Sequence, residues 1–438
     1  MTVPQVSSTK PSTSRLGRAG RVRQLAAATV GNLVEWFDWY VYAMLALFFA
    51  EAFFPKNSGN PLVPLMGSLA IFAVGFFMRP LGGLLLGVFA DRHGRKRALT
   101  LSIVLMGGGS LLIAVSPTYE QVGVLAPMVL VIARLAQGLS AGGEFAAAST
   151  FLVESAPTGR RGLFSSFLYV SATLGNILAM ASVTVLVNVL SSDAMHSWGW
   201  RIPFLIGATG ALVGMWVRRH AHETHETDGA ANDRTGTARP RMFDFVRSHP
   251  RQCLQVVTVN AAALLVFYVF ASYLPTYAKL TVGFDTGQAY VVSLISLTYF
   301  MLLQPVMGAM SDRFGRKPLL LFFAGGIAIA TVPLLSALDT SVTRLLLVQL
   351  IALTFLAGYT SVAPAVMVEL FPARIRAAGI GFPYAVTVAL FGGTGPYVAT
   401  WLIGSGWASL FGYYIAGLAA VSFVTFVFMK ETHQKTLS

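Results

Sequence analysis

The chain has 438 residues, of which 55% are hydrophobic and only 11% charged. Soluble domains carry about 25% charged residues, so this composition excludes an ordinary water-soluble enzyme and points to an integral membrane protein. The net charge of +13 would suit a nucleic-acid binder, but the charges sit in short breaks between apolar runs and form no continuous basic face. The single cysteine, Cys253, excludes an intramolecular disulfide framework and a cysteine-only metal cluster.

Residues 1–24 are polar and basic, lack the apolar core of a signal peptide, and read as a cytoplasmic tail. Apolar runs then follow at about 25–54, 62–90, 98–116, 123–153, 163–190, 202–218, 252–280, 287–311, 318–338, 342–369, 377–404 and 407–429. Each is long enough to span a bilayer core, which takes roughly 20 helical residues. Backbone groups in lipid must pair within their own segment, so each run is predicted to be a helix. The expected fold is an all-α membrane protein with twelve transmembrane helices in two six-helix bundles, at 25–218 and 252–429. A cytoplasmic linker at 219–251 separates the bundles, and a cytoplasmic tail at 430–438 ends the chain. His220, His222 and His225 with Glu223 and Glu226 raise the question of a metal site in the linker, but a solvated linker accounts for them as well. Phe243 and Phe245, beside Arg241 and Arg247, are suited to rest on the membrane surface.

Of the 31 Lys and Arg residues, 25 fall on one side of this topology if the N-terminus is cytoplasmic. Arg79 and Arg134 lie within helices, and only Lys56, Arg201, Lys279 and Arg344 fall on the other side. Such asymmetry sets both termini in the cytoplasm and removes any need for a nucleic-acid partner.

Two stretches occur once in each half. Gly87-Val-Phe-Ala-Asp91-Arg92-His-Gly94-Arg95-Lys96 returns as Gly308-Ala-Met-Ser-Asp312-Arg313-Phe-Gly315-Arg316-Lys317. Glu154-Ser-Ala-Pro157, followed by Arg160-Arg161, returns as Glu369-Leu-Phe-Pro372, followed by Arg374 and Arg376. Both pairs fall on the cytoplasmic side, and two similar bundles facing one another suggest a transporter that rocks about a central site.

Gly-x-x-x-Asp-Arg-x-Gly-Arg-Lys between the second and third helices, repeated between the eighth and ninth, resembles the signature loop of the major facilitator superfamily. Gly31-Asn-Leu-Val-Glu35-Trp-Phe-Asp38, Met78-Arg79-Pro80, Arg134-Leu-Ala-Gln137-Gly138 through Glu144, and Trp198-Gly-Trp200-Arg201 resemble its metabolite:proton symporter branch. Tyr359-Thr-Ser361, Tyr384-Ala-Val and Phe391-Gly-Gly393 are similar to stretches of the α-ketoglutarate permeases. The resemblance covers the chain after residue 24. It implies proton-coupled symport of a small carboxylate by alternating access, in a multi-pass protein of the cell inner membrane that acts as a monomer without a cofactor. Tricarboxylates, shikimate-like acids and betaine-like zwitterions are the alternative substrates of that branch. A non-transporting membrane sensor is the reading from a different class.

Five ionisable residues lie deep in the apolar runs: Glu35, Asp38, Arg79, Arg134 and Glu144. Each costs roughly 2.5–3.5 kcal/mol to insert even on the lenient scale, so they are expected to line a cavity or pair with one another. Glu35 and Asp38 share one helix face, with Trp39 and Tyr42 near it. Glu35, Asp38 and Glu144 are the candidate proton carriers, and the sequence does not rank them. Arg79 precedes Pro80 at a helix kink, and a guanidinium there can meet a carboxylate bidentately. Arg79 and Arg134 form either an anion clamp or, for Arg134, a lock with a nearby acid. Tyr42, Tyr268 and Tyr384 are further substrate candidates; Tyr169, Asn176, Tyr273, Tyr277, Tyr299 and Gln304 are weaker ones.

For the basic turns the resemblance implies a latch between halves, formed by Gly87, Asp91, Arg92, Arg95, Glu154, Arg161, Asp312, Arg313, Arg316 and Glu369, with Gly87 and Gly308 allowing close helix contact. Gly138-Leu-Ser140-Ala-Gly142 matches a hydrolase nucleophile pattern, but it lies within a membrane helix, where small-residue packing explains it. No Walker loop or His-Glu-x-x-His motif is present, so no enzymatic activity is expected.

Overall fold

Lipid offers the peptide backbone no partner, and in the computed structural model the chain meets this with helices alone: no strand occurs among the described residues. The structure describes residues 18–55, 60–142, 144–157, 159–220 and 247–433, without the side chains of 18–32, 91, 95, 96, 217–220 and 374. The expected linker cluster of His222, His225, Glu223 and Glu226, and the pair Phe243 and Phe245, lie outside the described residues.

Among the described residues, eleven helices are long and apolar enough to cross a membrane. In the first half they are α1 (Arg18–Phe53), α2 (Val63–His93), α3 (Arg95–Val115), α4 (Leu125–Glu154) and α5 (Arg161–Val189). In the second half they are α7 (Pro250–Val282), α8 (Thr286–Phe314), α9 (Arg316–Ser336), α10 (Val342–Leu370), α11 (Arg376–Gly404) and α12 (Ala408–Phe428). The helix α6 (Arg201–His220), whose apolar part is the shorter Arg201–Trp216, completes the expected twelve. Helix α1 starts at Arg18, before the apolar run expected from residue 25, because the polar flank itself holds good helix formers, Ala19, Arg21, Arg23 and Gln24.

Four helices are interrupted at mid-length. In α4 the break falls at Ala141 and Gly142, and in α10 it falls just before Pro364. Helix α7 widens into a π-turn at Val269–Tyr273 ahead of Pro275, and α11 does so at Val388–Gly393 ahead of Pro396. Proline has no N–H to give to the preceding turn, so the turn loosens there.

Small residues set how closely helices approach. A Cβ on Gly138 would stand 2.1 Å from the Gly75 carbonyl oxygen, one on Gly82 2.2 Å from that of Leu139, and one on Gly142 2.1 Å from the Gly83 nitrogen. The backbones of α2 and α4 therefore touch, as the packing reading of the Gly138–Gly142 stretch requires. Gly308 does the same between halves, where a Cβ would stand 2.6 Å from the Gly162 carbonyl oxygen. Gly87 differs from the expectation: nothing lies within 4 Å of a Cβ placed there.

The two halves are closed against each other at both ends. At one end Tyr290 of α8 donates its hydroxyl to the Met44 carbonyl of α1 at 2.7 Å. At the other end Asp312, at the end of α8, accepts from the Gly162 and Leu163 N–H groups at 2.7 and 2.8 Å. These are free donors of the first turn of α5, so one half caps a helix of the other, and the helix dipole favours the carboxylate. Arg316 binds the same carboxylate at 2.8 Å, and Arg316 and Arg161 approach Glu369 at 3.7 and 3.8 Å. Arg376 pairs with Glu154 across the interface. The tail then reaches back: Glu431 accepts from the N–H groups of Arg316 and Lys317, each at 3.0 Å, and so caps α9. Partial burial raises the Glu431 carboxyl, but four backbone N–H donors outweigh this and hold it below the ordinary value of 4.5.

Two outcomes follow. Gly138→Ala is expected to destabilise the protein by about 1–3 kcal/mol, read from thermal unfolding in detergent, whereas Gly87→Ala leaves stability unchanged. Because the Glu431 carboxyl lies lower in the folded than in the unfolded chain, its contribution is present above about pH 4.3 and is lost as pH falls through the folded value. Glu431→Gln should therefore lower the melting temperature by about 1–3 °C at pH 7, with the difference from wild type closing below about pH 4.

Candidate functional site

Glu35, Asp38, Arg79 and Arg134 gather where α1, α2 and α4 meet, and Trp39 of α1 is the side chain that the two arginines share. The guanidinium carbon of Arg79 lies 4.2 Å from the Trp39 ring centroid, and that of Arg134 lies 4.3 Å from it. Arg79 also lies over Phe76 at 4.6 Å, and Arg134 over Tyr42 at 4.1 Å. Both arginines are buried, Arg134 completely, and Nε and Nη2 of each find no hydrogen-bond acceptor among the described residues. Nη1 of Arg134 donates to Gln137 at 2.8 Å, and Gln137 in turn donates to the Ser110 hydroxyl at 2.8 Å. Helical spacing on α4 delivers this Arg134–Gln137 pair, since residues three apart are neighbours.

Asp38 supplies the countercharge. It is buried beside Ser110 in the field of Arg134, yet neither carboxyl oxygen completes a hydrogen bond among the described residues. Room for it is made by Gly207 of α6, where a Cβ would stand 1.9 Å from Asp38 Oδ1. Glu35, one turn earlier, is buried and interacts electrostatically with Tyr40 and Tyr268. Glu35 also lines a cavity of about 20 Å³ with Glu144, Ser102 and Ser140, which is room for about one water. Glu144 and Glu35 thus face the same small cavity.

The second half answers with tyrosines and no deep charge. Tyr268 of α7 packs edge-on against Phe76 at 5.2 Å, with its hydroxyl beside Arg79 but outside hydrogen-bond geometry. Tyr384 of α11 stacks on Phe145 of α4 at 3.9 Å and 6°, and is electrostatically coupled to Tyr169 and Tyr268. The hydroxyls of Tyr40, Tyr169 and Tyr268 make no hydrogen bond among the described residues. Five other candidates are committed elsewhere. Tyr42 donates its hydroxyl to the Ser68 carbonyl at 3.0 Å, so only its ring faces Arg134. Tyr273 bonds Thr400, and Tyr299 is on the exposed surface bonding Thr354 at 2.9 Å. Asn176 donates to the Ala271 carbonyl at 3.0 Å, and Gln304 accepts from Thr360 at 2.9 Å.

The structure brings Glu154, Arg161, Asp312, Arg316 and Glu369 of the expected latch together between halves. It leaves Arg92 and Arg313 exposed, the latter over the ring of Phe314 at 5.4 Å. The side chains of Asp91 and Arg95 lie outside the described residues. Sequence reasoning missed Glu431, Gly207, Tyr40 and the sharing of Trp39. The signal for Glu431 was faint: a lone acid just beyond the last apolar run. For Gly207 there was none, because a glycine in a membrane helix does not announce its neighbour.

The family model described as Major Facilitator Superfamily matches residues 28–301 and 288–438. Alpha-ketoglutarate permease of Escherichia coli (strain K12) is 41% identical over 92% of this chain and 92% of its own length. The glycine betaine/proline/ectoine/pipecolic acid transporter OusA of Dickeya dadantii (strain 3937) is 32% identical over 95% of this chain and 85% of its own length. Among solved structures, a D-xylose-proton symporter superposes with a TM-score of 0.71 at 20% identity, covering 95% of this chain and 100% of that one, which bears on the fold alone. With twelve helices in two halves and no strand among the described residues, the chain is a multi-pass membrane protein and belongs to the major facilitator superfamily of transporters.

Proposed function

We propose that the protein is a proton-coupled symporter that imports a small dicarboxylate of the α-ketoglutarate type. The observation that carries this reading is the pair of buried guanidiniums over one indole, with donors left unsatisfied, beside a buried Asp38. A dicarboxylate has two forks to offer two arginines, and charge-assisted bonds to each are strong in a dry site. The hydroxyls of Tyr40, Tyr169 and Tyr268 stand ready for a keto or remaining carboxylate oxygen. Identity to the permease from Escherichia coli supports the same substrate class.

Charge balance supplies the coupling. In the central cluster Glu35 and Asp38 cancel Arg79 and Arg134, so a dianion entering alone would leave the buried site doubly negative. A proton on Asp38 releases Arg134 for the substrate, and one on Glu35 does the same for Arg79. Substrate and proton then favour each other's binding, which is symport in linkage terms. Glu144, across the small cavity from Glu35, serves as a relay toward the cytoplasm. Pairing of Glu154 with Arg376, of Asp312 with the start of α5, and of Arg161 and Arg316 with Glu369 acts as the cytoplasmic gate that must open to release the substrate. The positive-inside count supports an inner-membrane location with both termini cytoplasmic, and each chain carries a whole site, so it works as a monomer.

The betaine and proline relatives favour a second reading, a zwitterion carrier, since an aromatic box of Trp36, Trp39, Tyr40, Phe72 and Phe76 also suits a quaternary ammonium. Against it, the Trp39 ring already carries two cations. Uptake of labelled dicarboxylates, tricarboxylates, shikimate and betaine into proteoliposomes decides the matter. The dicarboxylate should accumulate only under a proton gradient, and Arg79→Gln should cut its uptake more than about tenfold without lowering the melting temperature. Betaine accumulation in preference to the dicarboxylate would reverse the substrate assignment, accumulation without a gradient would remove the coupling, and binding without accumulation would indicate a sensor.

A further inference from the structure

Trp39 takes no part in the proton step, yet it touches both cations of the clamp. Its ring is almost wholly buried, and its Nε1 makes no hydrogen bond among the described residues. The ring is held rigidly: Phe76 packs on it at 4.3 Å and Phe72 at 6.0 Å, and a Cβ on Gly75 would stand 3.1 Å from its Cη2. What the indole presents to Arg79 and Arg134 is therefore its π-system alone.

We propose that Trp39 is a positioning residue that seats both guanidiniums on its ring, and that the carboxylates of the substrate compete with this ring for the same two cations. The proposal rests on the dicarboxylate reading and adds a role that the reading does not need. A symporter has to reorient with its site unloaded in one limb of its cycle. In that limb Glu35 and Asp38 supply the countercharge, but Nε and Nη2 of each guanidinium find no acceptor among the described residues, so the two cations need further negative potential in a dry interior. An aromatic face supplies that potential without a formal charge and without hydrogen-bond geometry, so it holds a guanidinium firmly enough to close around and loosely enough to surrender. A carboxylate makes a stronger, directional bond, so it wins when present. Linkage fixes the sign of the effect: a contact that favours the unloaded clamp opposes the ligand that displaces it.

The test replaces Trp39 alone with ring-fluorinated tryptophans, which keep the size of the indole while weakening its π-face in steps, and adds Trp39→Leu and Trp39→Phe. α-Ketoglutarate binding to purified protein is measured together with net uptake and with exchange of internal for external substrate in proteoliposomes. The expected result is graded. Successive fluorination tightens binding, up to about 3–10-fold for the least electron-rich ring, and slows net uptake by a similar or larger factor while exchange stays within about threefold of wild type. Trp39→Leu should lie at the end of this series and Trp39→Phe near its beginning. Binding that weakens along the series, or net uptake and exchange that fall together, would overturn the seat and leave Trp39 a packing residue. Because fluorination preserves shape, a misfolded Trp39→Leu protein does not remove the test. Absence of saturable dicarboxylate binding in wild type would instead overturn the dicarboxylate reading and the Trp39 role with it, an outcome distinct from normal wild-type binding that fluorination does not tighten.

Discussion

Two guanidiniums buried inside a membrane protein are the constraint from which the rest of the structure follows. They cannot snorkel to the surface from the middle of α2 and α4, so the fold must satisfy them where they lie. It does so on one face of α1, which brings Glu35, Asp38, Trp39 and Tyr42 within two helical turns. This explains the contacts between the α2 and α4 backbones at Gly75, Gly82, Gly138 and Gly142: the two arginines reach one indole only if the helices that carry them touch. It also explains Gly207, since any side chain there would push Asp38 away from its place beside Arg134.

The halves divide the work unequally. The first half holds Glu35, Asp38, Arg79, Arg134 and Glu144, the charges deep in the apolar runs, and the second answers with tyrosines and with three helices interrupted near mid-length. Formal charge stays in one rigid body, where it can be balanced without crossing a moving interface. Among the described residues, the charged contacts that join the halves gather at one end of the interface. There Asp312 caps a helix of the opposite half, and Glu431 caps the helix that follows Asp312. Hydrogen bonds between a carboxylate and a helix start are strong when made and readily replaced by water when broken, which suits a gate.

Much of this was legible in the sequence, for physical reasons that also mark where legibility stopped. Run length gave the helices, because lipid permits few alternatives. The Lys and Arg distribution gave a topology in which the repeated turns share one side. Spacing on α1 and α4 placed Glu35 with Asp38 and Arg134 with Gln137 on common faces. Spacing describes a single helix, however, and says nothing of which neighbour stands opposite. That is why Tyr42 counted as a hydroxyl although Ser68 takes that hydroxyl. The repeat misled in the same way: Gly87 and Gly308 occupy equivalent places in the motif, but only Gly308 has a partner helix against it. Trp39 was noticed as a neighbour of the acids, and only the packing of three helices shows that it serves both cations.

Symport turns on Asp38 and Glu35 exchanging protons in step with the binding of a dianion at Arg134 and Arg79. The most direct measurement is proton movement in lightly buffered proteoliposomes on addition of α-ketoglutarate. Wild type should alkalinise the outer medium as substrate enters, whereas the double variant Glu35→Gln with Asp38→Asn should still exchange labelled for unlabelled substrate with no proton signal on substrate addition. Proton uptake that persists in the double variant, or substrate entry in wild type without any proton movement, would contradict it.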